Sequence, residues 1–184
     1  CDAENGDYTL AENSPAVGAG ENGSNIGALG IGCGIINQVF HVATNGSDET
    51  GNGSESNPFA TIQAGIDAAI DGDTVLVAAG TYVENINYNG KTIVIKSSHG
   101  ADSTIIDGGQ NARVVLLNQG TIHGFTITHG LGGIKSDGGQ IVNCFIINNS
   151  TETTGEDGGG IYASHYGTVD TTFITNVTIA QNYA

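Results

Sequence analysis

The sequence predicts an all-β fold, a parallel solenoid of short strands with one short α-helix near residues 60–70. Three observations predict it. Gly supplies 30 of the 184 residues and Pro only 2, and many short apolar runs end at Gly, Asn or Asp, the pattern of strands and turns. Three segments superpose: GFTITHG from Gly124, NCFIINN from Asn143 and NVTIAQN from Asn176, at offsets of 19 and 33 residues. A repeat of about twenty residues with one apolar strand per copy suits a solenoid, because one coil cannot bury its apolar residues alone. Finally, Ile62, Ile66 and Ile70 recur every four residues, one face of a helix.

The elements follow in chain order. Residues 1–37 are Gly-rich and set apart from the rest. Residues 38–58 contain the polar stretch TNGSDETGNGSESNP, and a regular pattern begins at residue 59. Asn57-Pro58 breaks the chain before the helix, and Asp71-Gly72-Asp73 turns it afterwards. Gly65 weakens that helix by about 1 kcal/mol relative to Ala, so tertiary packing must hold it. TVLVAAG then reads as a buried strand. KTIVIKSS, STIIDGG, ARVVLLNQ, GFTITHG, NCFIINN, GGGIYAS and NVTIAQN follow with no helix between them. In the aligned copies Phe125, Cys144 and Val177 share one position, and Ile127, Ile146 and Ile179 another. The longer second offset implies an insertion, mainly STETTGEDGG with SHYGTVD as a second candidate. Asn143, Asn148, Asn176 and Asn182 at strand edges suit turns that need a left-handed residue, with amides free to bond the next coil.

Charge narrows the partners. Four Lys plus Arg against nineteen Asp plus Glu leave a net charge of −15. Nucleic acid is excluded as a partner, since phosphate binding needs a basic face. Acidic membranes and acidic polysaccharides are disfavoured, and cations are favoured. No stretch approaches the roughly 18 apolar residues of a membrane helix, so no membrane span is expected. The chain opens on Cys1 and holds no Met, which reads as a processed product or a fragment. Cys1 and Cys33 can bridge within the N-terminal segment, or Cys1 can carry a lipid, whereas Cys144 reads as a buried core thiol. Asn-X-Ser/Thr occurs at Asn22, Asn45, Asn52, Asn148, Asn149 and Asn176.

From FHVATNGSD through NPFATIQAGIDAAIDGDTVLVAAGTYVENI to STIIDGG, GFTITHG and GGGIYAS, residues 38–184 resemble the N-terminal part of a right-handed parallel β-helix of the pectate-lyase-like superfamily. The resemblance covers about four-fifths of the chain. It implies a helix that caps the open end of the stack, and it says little of function, because this fold hosts lyases, hydrolases, adhesins and structural proteins. DYTLAENSPAVGAG with NIGALGIGCG in residues 1–37 resembles the closing segment of such proteins. An ending thus precedes a beginning, the order expected at a boundary between tandem β-helix units.

A polyuronate lyase needs a basic side chain and cations at the reacting carbon. Lys91, Lys96, Arg113 and Lys135 are the whole basic inventory. They share no spacing and read as solvated surface charges. A glycoside hydrolase needs two carboxylates about 5 to 10 Å apart. Asp102, Asp107 and Asp137 are candidates, but the Asn-Thr-Asp, Asp-Asp and Gly-His-Gly signatures of hydrolases with this fold are missing. His99 and His129 each precede a Gly and read as turn residues; His41, His123 and His165 are scattered, and no Cys/His spacing suits zinc. Calcium is the expected metal, with Asp48, Glu49 and Glu55 in one acidic loop and Glu152, Glu156 and Asp157 in another. Tyr82, Tyr88, Tyr162 and Tyr166 are candidate platforms for a carbohydrate. The expected function is a non-enzymatic, extracellular or cell-surface structural or adhesive module that associates end to end. A fragment of a carbohydrate-active enzyme, or a carbohydrate-binding module, is the alternative.

Overall fold

A computed structural model describes residues 37–151, 158–164 and 171–183, and the backbone of 10–11 and 31–33. The chain divides into two compact units, Cys1–Asn37 and Gln38–Ala184. In the first, β1 (Leu10–Ala11) pairs in parallel with β2 (Ile31–Cys33). The expected Cys1–Cys33 bridge lies outside the described side chains.

The second unit is mostly β. Among the described residues it has three parallel sheets and one short helix. The first sheet holds β3 (Val39–Val42), β4 (Thr74–Val77), β7 (Val94–Ser97), β10 (Thr121–His123), β13 (Gly139–Val142) and β16 (Thr172–Thr175). The second holds β5 (Gly80–Val83), β8 (Thr104–Asp107), β11 (Thr126–Thr128), β14 (Phe145–Ile147) and β17 (Thr178–Ala180). The third holds β6 (Ile86–Asn87), β9 (Val115–Leu117), β12 (Ile134–Ser136) and β15 (Ile161–Ala163). The chain visits the three sheets in the same order again and again, consistent with a parallel β-helix. Each circuit therefore carries three strands, not the one expected. The strands passed over have a single inward apolar residue each, such as Ile122 in Thr121–His123, too little pattern to read.

Register puts like residues over like. Val75, Ile95, Ile122, Ile141 and Ile174 stack in the first sheet. Ile106, Ile127, Ile146 and Ile179 stack in the second, the alignment read from sequence. Ile86, Val115, Ile134 and Ile161 stack in the third. Phe125 and Cys144 are fully buried, and Val177 packs against the same core. Burying each large aliphatic is worth about 1.5–3 kcal/mol, so these inward columns hold the coils together. The 33-residue step arises in two places. The connection after the second-sheet strand grows from 129–133 to 148–160, and the one after the third-sheet strand from 137–138 to 164–171.

The helix α1 spans Ile62–Ala68, inside the expected range. Ile62 and Ile66 are fully buried, but Ile70 lies past the helix and is 44% exposed, because Ala69 leaves helical geometry with ψ 153°. The helix rests close to β3 and β4. A Cβ on Gly65 would stand 2.8 Å from Val75 Cγ1 and 3.0 Å from Val42 Cγ2. Gly65 is there for that approach, not despite its propensity.

Candidate functional site

The acidic groups around α1 are committed to its seat. Four N–H groups at a helix start lack partners of their own. Thr61 Oγ1 accepts from Ala64 N–H at 3.2 Å and donates to Asp48 Oδ2 at 2.8 Å. Asp48 Oδ1 accepts from Ala60 N–H at 2.7 Å and Thr61 N–H at 3.1 Å. Glu84, from the turn after β5, accepts from Ile62 N–H at 2.9 Å and Gln63 N–H at 3.0 Å. A carboxylate at this end also meets the positive pole of the helix. Burial pushes Glu84 above the usual carboxylate range, against the pull of those two bonds. For Asp48 burial acts upward as well, but its bonds from Thr61 and Ala60 together hold it below the ordinary value.

The opposite end is closed by Lys91. Its Nζ donates to Ile66 O at 2.7 Å, Asp67 O at 3.0 Å and Ala69 O at 2.8 Å. This corrects the reading of Lys91 as a solvated charge: a cation at a helix C-terminus satisfies carbonyls that have no helical donor. Arg113 is also engaged. Its Nη1 donates to Gly158 O at 3.2 Å, and its guanidinium lies 5.9 Å from the Tyr162 ring centre. Neither is a free base for lyase chemistry.

The candidate carboxylates are not brought together. Asp107 lies in β8 of the second sheet, bonded to Gly109 N–H at 2.9 Å and His129 Nδ1 at 2.9 Å. Burial raises its carboxyl, but those bonds and the His129 ring outweigh it and hold it low. Asp137 follows β12 of the third sheet and accepts from Asn118 Nδ2 at 3.2 Å and from Ser164 Oγ. Asp102 is exposed on the turn before β8. Among the described residues no three His, Cys, Asp or Glu groups are placed to hold a metal ion. Glu49 and Glu55 are exposed in the loop before α1, while Glu152, Glu156 and Asp157 lie outside the described residues.

His129 and His99 both sit in turns, His129 with φ 52°. Ser98 Oγ donates to Val77 O at 3.0 Å. The same hydroxyl lies 2.8 Å from His99 Nδ1, a contact whose direction follows the tautomer of the ring. Cys144 is buried as expected, its thiol pushed up by that burial. Tyr82 and Tyr88 are not exposed platforms: both are buried, and their hydroxyls donate to Ala78 O at 3.0 Å and Thr121 O at 2.8 Å. Tyr166 lies outside the described residues.

Among the described residues, two concavities that bear polar side chains stand out. One, about 280 Å³, lies against the first sheet, with His41, Glu55, Ser98 and His99 around Leu76 and Ala78. The other, about 90 Å³, is on the third sheet, formed by Asn87, Leu116, Leu117, Asn118, Lys135 and Asp137. Both were missed from the sequence. For the second, aligning GIKS at 133–136 with GIYA at 160–163 would have put Lys135 and Tyr162 in one outward column, as observed, though not the other lining residues.

Asparagines fill the turns. Asn143, Asn148 and Asn176 adopt positive φ as expected; at the fourth place Gln181, not Asn182, does so. Asn176 Nδ2 donates to Asn143 Oδ1 at 2.7 Å, one coil bonding the next. Asn149 is fully buried; its Oδ1 accepts from Gly130 N–H at 2.9 Å, and its Nδ2 donates to Ile127 O at 3.0 Å and Ile147 O at 3.1 Å.

No protein-family profile matches the chain. No solved structure matches it either. No helix among the described residues is long and apolar enough to cross a membrane. Over 119 residues the chain is 30% identical to a cell surface glycoprotein of Methanothermus fervidus. That match takes in 64% of this chain and 20% of the relative, so the chain spans about a fifth of the relative's length. Over nearly two-thirds of its length, then, the chain is similar to part of a cell-surface protein.

Proposed function

We propose that the chain is a non-enzymatic structural module of a cell-surface protein, exposed outside the cell. The observation that carries this is the pairing of a self-supporting stack of parallel coils with likeness to a cell surface glycoprotein. Asp48, Glu84 and Lys91 support it, because they are engaged in holding α1. We take the stack to be right-handed, the hand of nearly all parallel crossover connections, and to be pectate-lyase-like in topology. Residues 1–37 then close a preceding unit, and units in tandem, or copies end to end, make a longer stack. Gold-labelled antibody on intact cells tests the location. Label on the outer surface is expected, and label found only inside lysed cells overturns it. Electron microscopy across protein and Ca²⁺ concentrations tests association, and dispersed monomers throughout defeat that part. Thermal unfolding with added Ca²⁺ tests calcium at Asp48, Glu49 and Glu55 or at Glu152, Glu156 and Asp157; a rise in Tm is expected, and an unchanged Tm defeats that part.

The concavity on the third sheet favours a second reading, carbohydrate binding. Asn87, Asn118, Lys135 and Asp137 offer donors and acceptors around Leu116, a mixture suited to sugar hydroxyls over an apolar floor. A glycan array with the wild type and Lys135→Ala separates the two. Retention of a glycan by the wild type alone favours binding at this place.

A further inference from the structure

The six Asn-X-Ser/Thr triplets are equivalent in sequence and unequal in the fold. Asn22 lies outside the described residues. Asn149 is 0% exposed, and its amide nitrogen is bonded to two carbonyls and to Asn182 Oδ1 at 3.1 Å. Asn176 is exposed, but its amide is a rung to Asn143 and its partner Thr178 is held in β17. The other three differ. Asn45 is at the corner of a turn closed by Gly46 N–H to Ala43 O at 2.8 Å. Asn52 opens a turn in which its Oδ1 accepts from Ser54 N–H at 3.1 Å, a geometry that folds the third residue of the triplet back toward the amide. Asn148 projects from a left-handed turn position, φ 56°. All three side chains are exposed. None of their amide nitrogens donates to a described residue.

We propose that Asn45, Asn52 and Asn148 carry N-linked glycans and that Asn149 and Asn176 stay bare. This rests on the cell-surface reading, since such triplets are acceptors on surface loops of exported proteins. The donor is a lipid-linked oligosaccharide presented by a membrane oligosaccharyltransferase. The Asn Nδ2 attacks the anomeric carbon, an N–C1 bond forms and the C1–O bond to the lipid phosphate breaks. The amide gives up one proton to a base, and the lipid phosphate leaves with the bonding electron pair. A glycan on Asn149 would have to occupy the core between Ile127 and Ile147, which close packing forbids.

The overlapping triplets at 148–151 make the test sharp. Ser150 serves Asn148 alone, and Thr151 serves Asn149 alone. The full 184-residue chain is secreted from an archaeal host that N-glycosylates its own surface proteins, then analysed by intact mass and glycopeptide sequencing. Glycopeptides at Asn45, Asn52 and Asn148 are expected. Asn45→Gln, Asn52→Gln and Ser150→Ala should each lose one glycan, and Thr151→Ala none. Ser150→Ala and Thr151→Ala leave the Asn149 side chain untouched, so folding does not confuse the outcome. A glycan on Asn149 or Asn176 overturns the assignment, as does a bare Asn45, Asn52 or Asn148 in secreted protein. Gold label confined to the cell interior removes the surface reading instead, so the two failures are distinguishable.

Discussion

Replacing Gly65 by Ala sets two effects against each other. In a helix interior Ala is favoured over Gly by about 1 kcal/mol, and on propensity alone the variant should be more stable. The structure reverses the sign. The new methyl would stand 2.8 Å from Val75 Cγ1 and 3.0 Å from Val42 Cγ2, where carbon contacts prefer about 3.5–4.0 Å. Val75 is fully buried and sits over Ile95 in the first-sheet column. Its β-branched side chain has few rotamers to escape into. Overpacking of this kind costs about 1–3 kcal/mol, which leaves a net loss of up to about 2 kcal/mol after the propensity gain. For a chain of this size that lowers Tm by up to about 8 °C. Urea and thermal unfolding followed by circular dichroism measure it, in the wild type and in a Val75→Ala background. With the nearer obstruction gone and only Val42 Cγ2 left at 3.0 Å, Gly65→Ala should cost less than it does with Val75 in place. A higher Tm for Gly65→Ala with Val75 in place would refute the reasoning.

Three further outcomes follow from the described contacts. Lys91→Met keeps the aliphatic stem and removes the cation from three helix carbonyls; a loss of about 2 kcal/mol is expected in urea unfolding. Asn149→Ala strips partners from Gly130 N–H and from the Ile127 and Ile147 carbonyls, and a loss of about 3 kcal/mol is expected. Asp48 and Asp107 are held below their ordinary 3.8, so their contribution is full above that value and fades as pH falls through the lowered ones. Glu84 is raised above its ordinary 4.5, so its contribution is full below 4.5 and is lost as pH rises through the raised value. Urea midpoints from about pH 3 to about pH 7 should therefore show a shallower acid fall in Asp48→Asn and no Glu84-dependent decline on the upper side in Glu84→Gln.

Legibility from sequence followed pattern density. The second sheet could be aligned because GFTITHG, NCFIINN and NVTIAQN each keep two inward apolar residues in a constant frame. In the first sheet, Ile95, Ile122, Ile141 and Ile174 are separated by 27, 19 and 33 residues. The last two steps match those of the second sheet, but strands such as Thr121–His123 offer a single inward apolar residue each, too little to reveal the period. Cys144 was readable because its column partners, Phe125 and Val177, are apolar. The seat of α1 was not, since nothing local links Glu84 or Lys91 to a helix more than twenty residues earlier. Tyr82 and Tyr88 show the same limit from the other side: an aromatic residue in a strand does not reveal which face it takes.

The uneven turns carry a consequence of their own. Between the second and third sheets the chain crosses by residues 84–85 in one coil, 108–114 in the next and 148–160 two coils later, yet Ile86, Val115, Ile134 and Ile161 remain in line. Length errors are cancelled within a single circuit and never passed to its neighbour. A lineage built on such a frame can rewrite one corner of its exterior by insertion or deletion, and the rest of the molecule carries no record of the change.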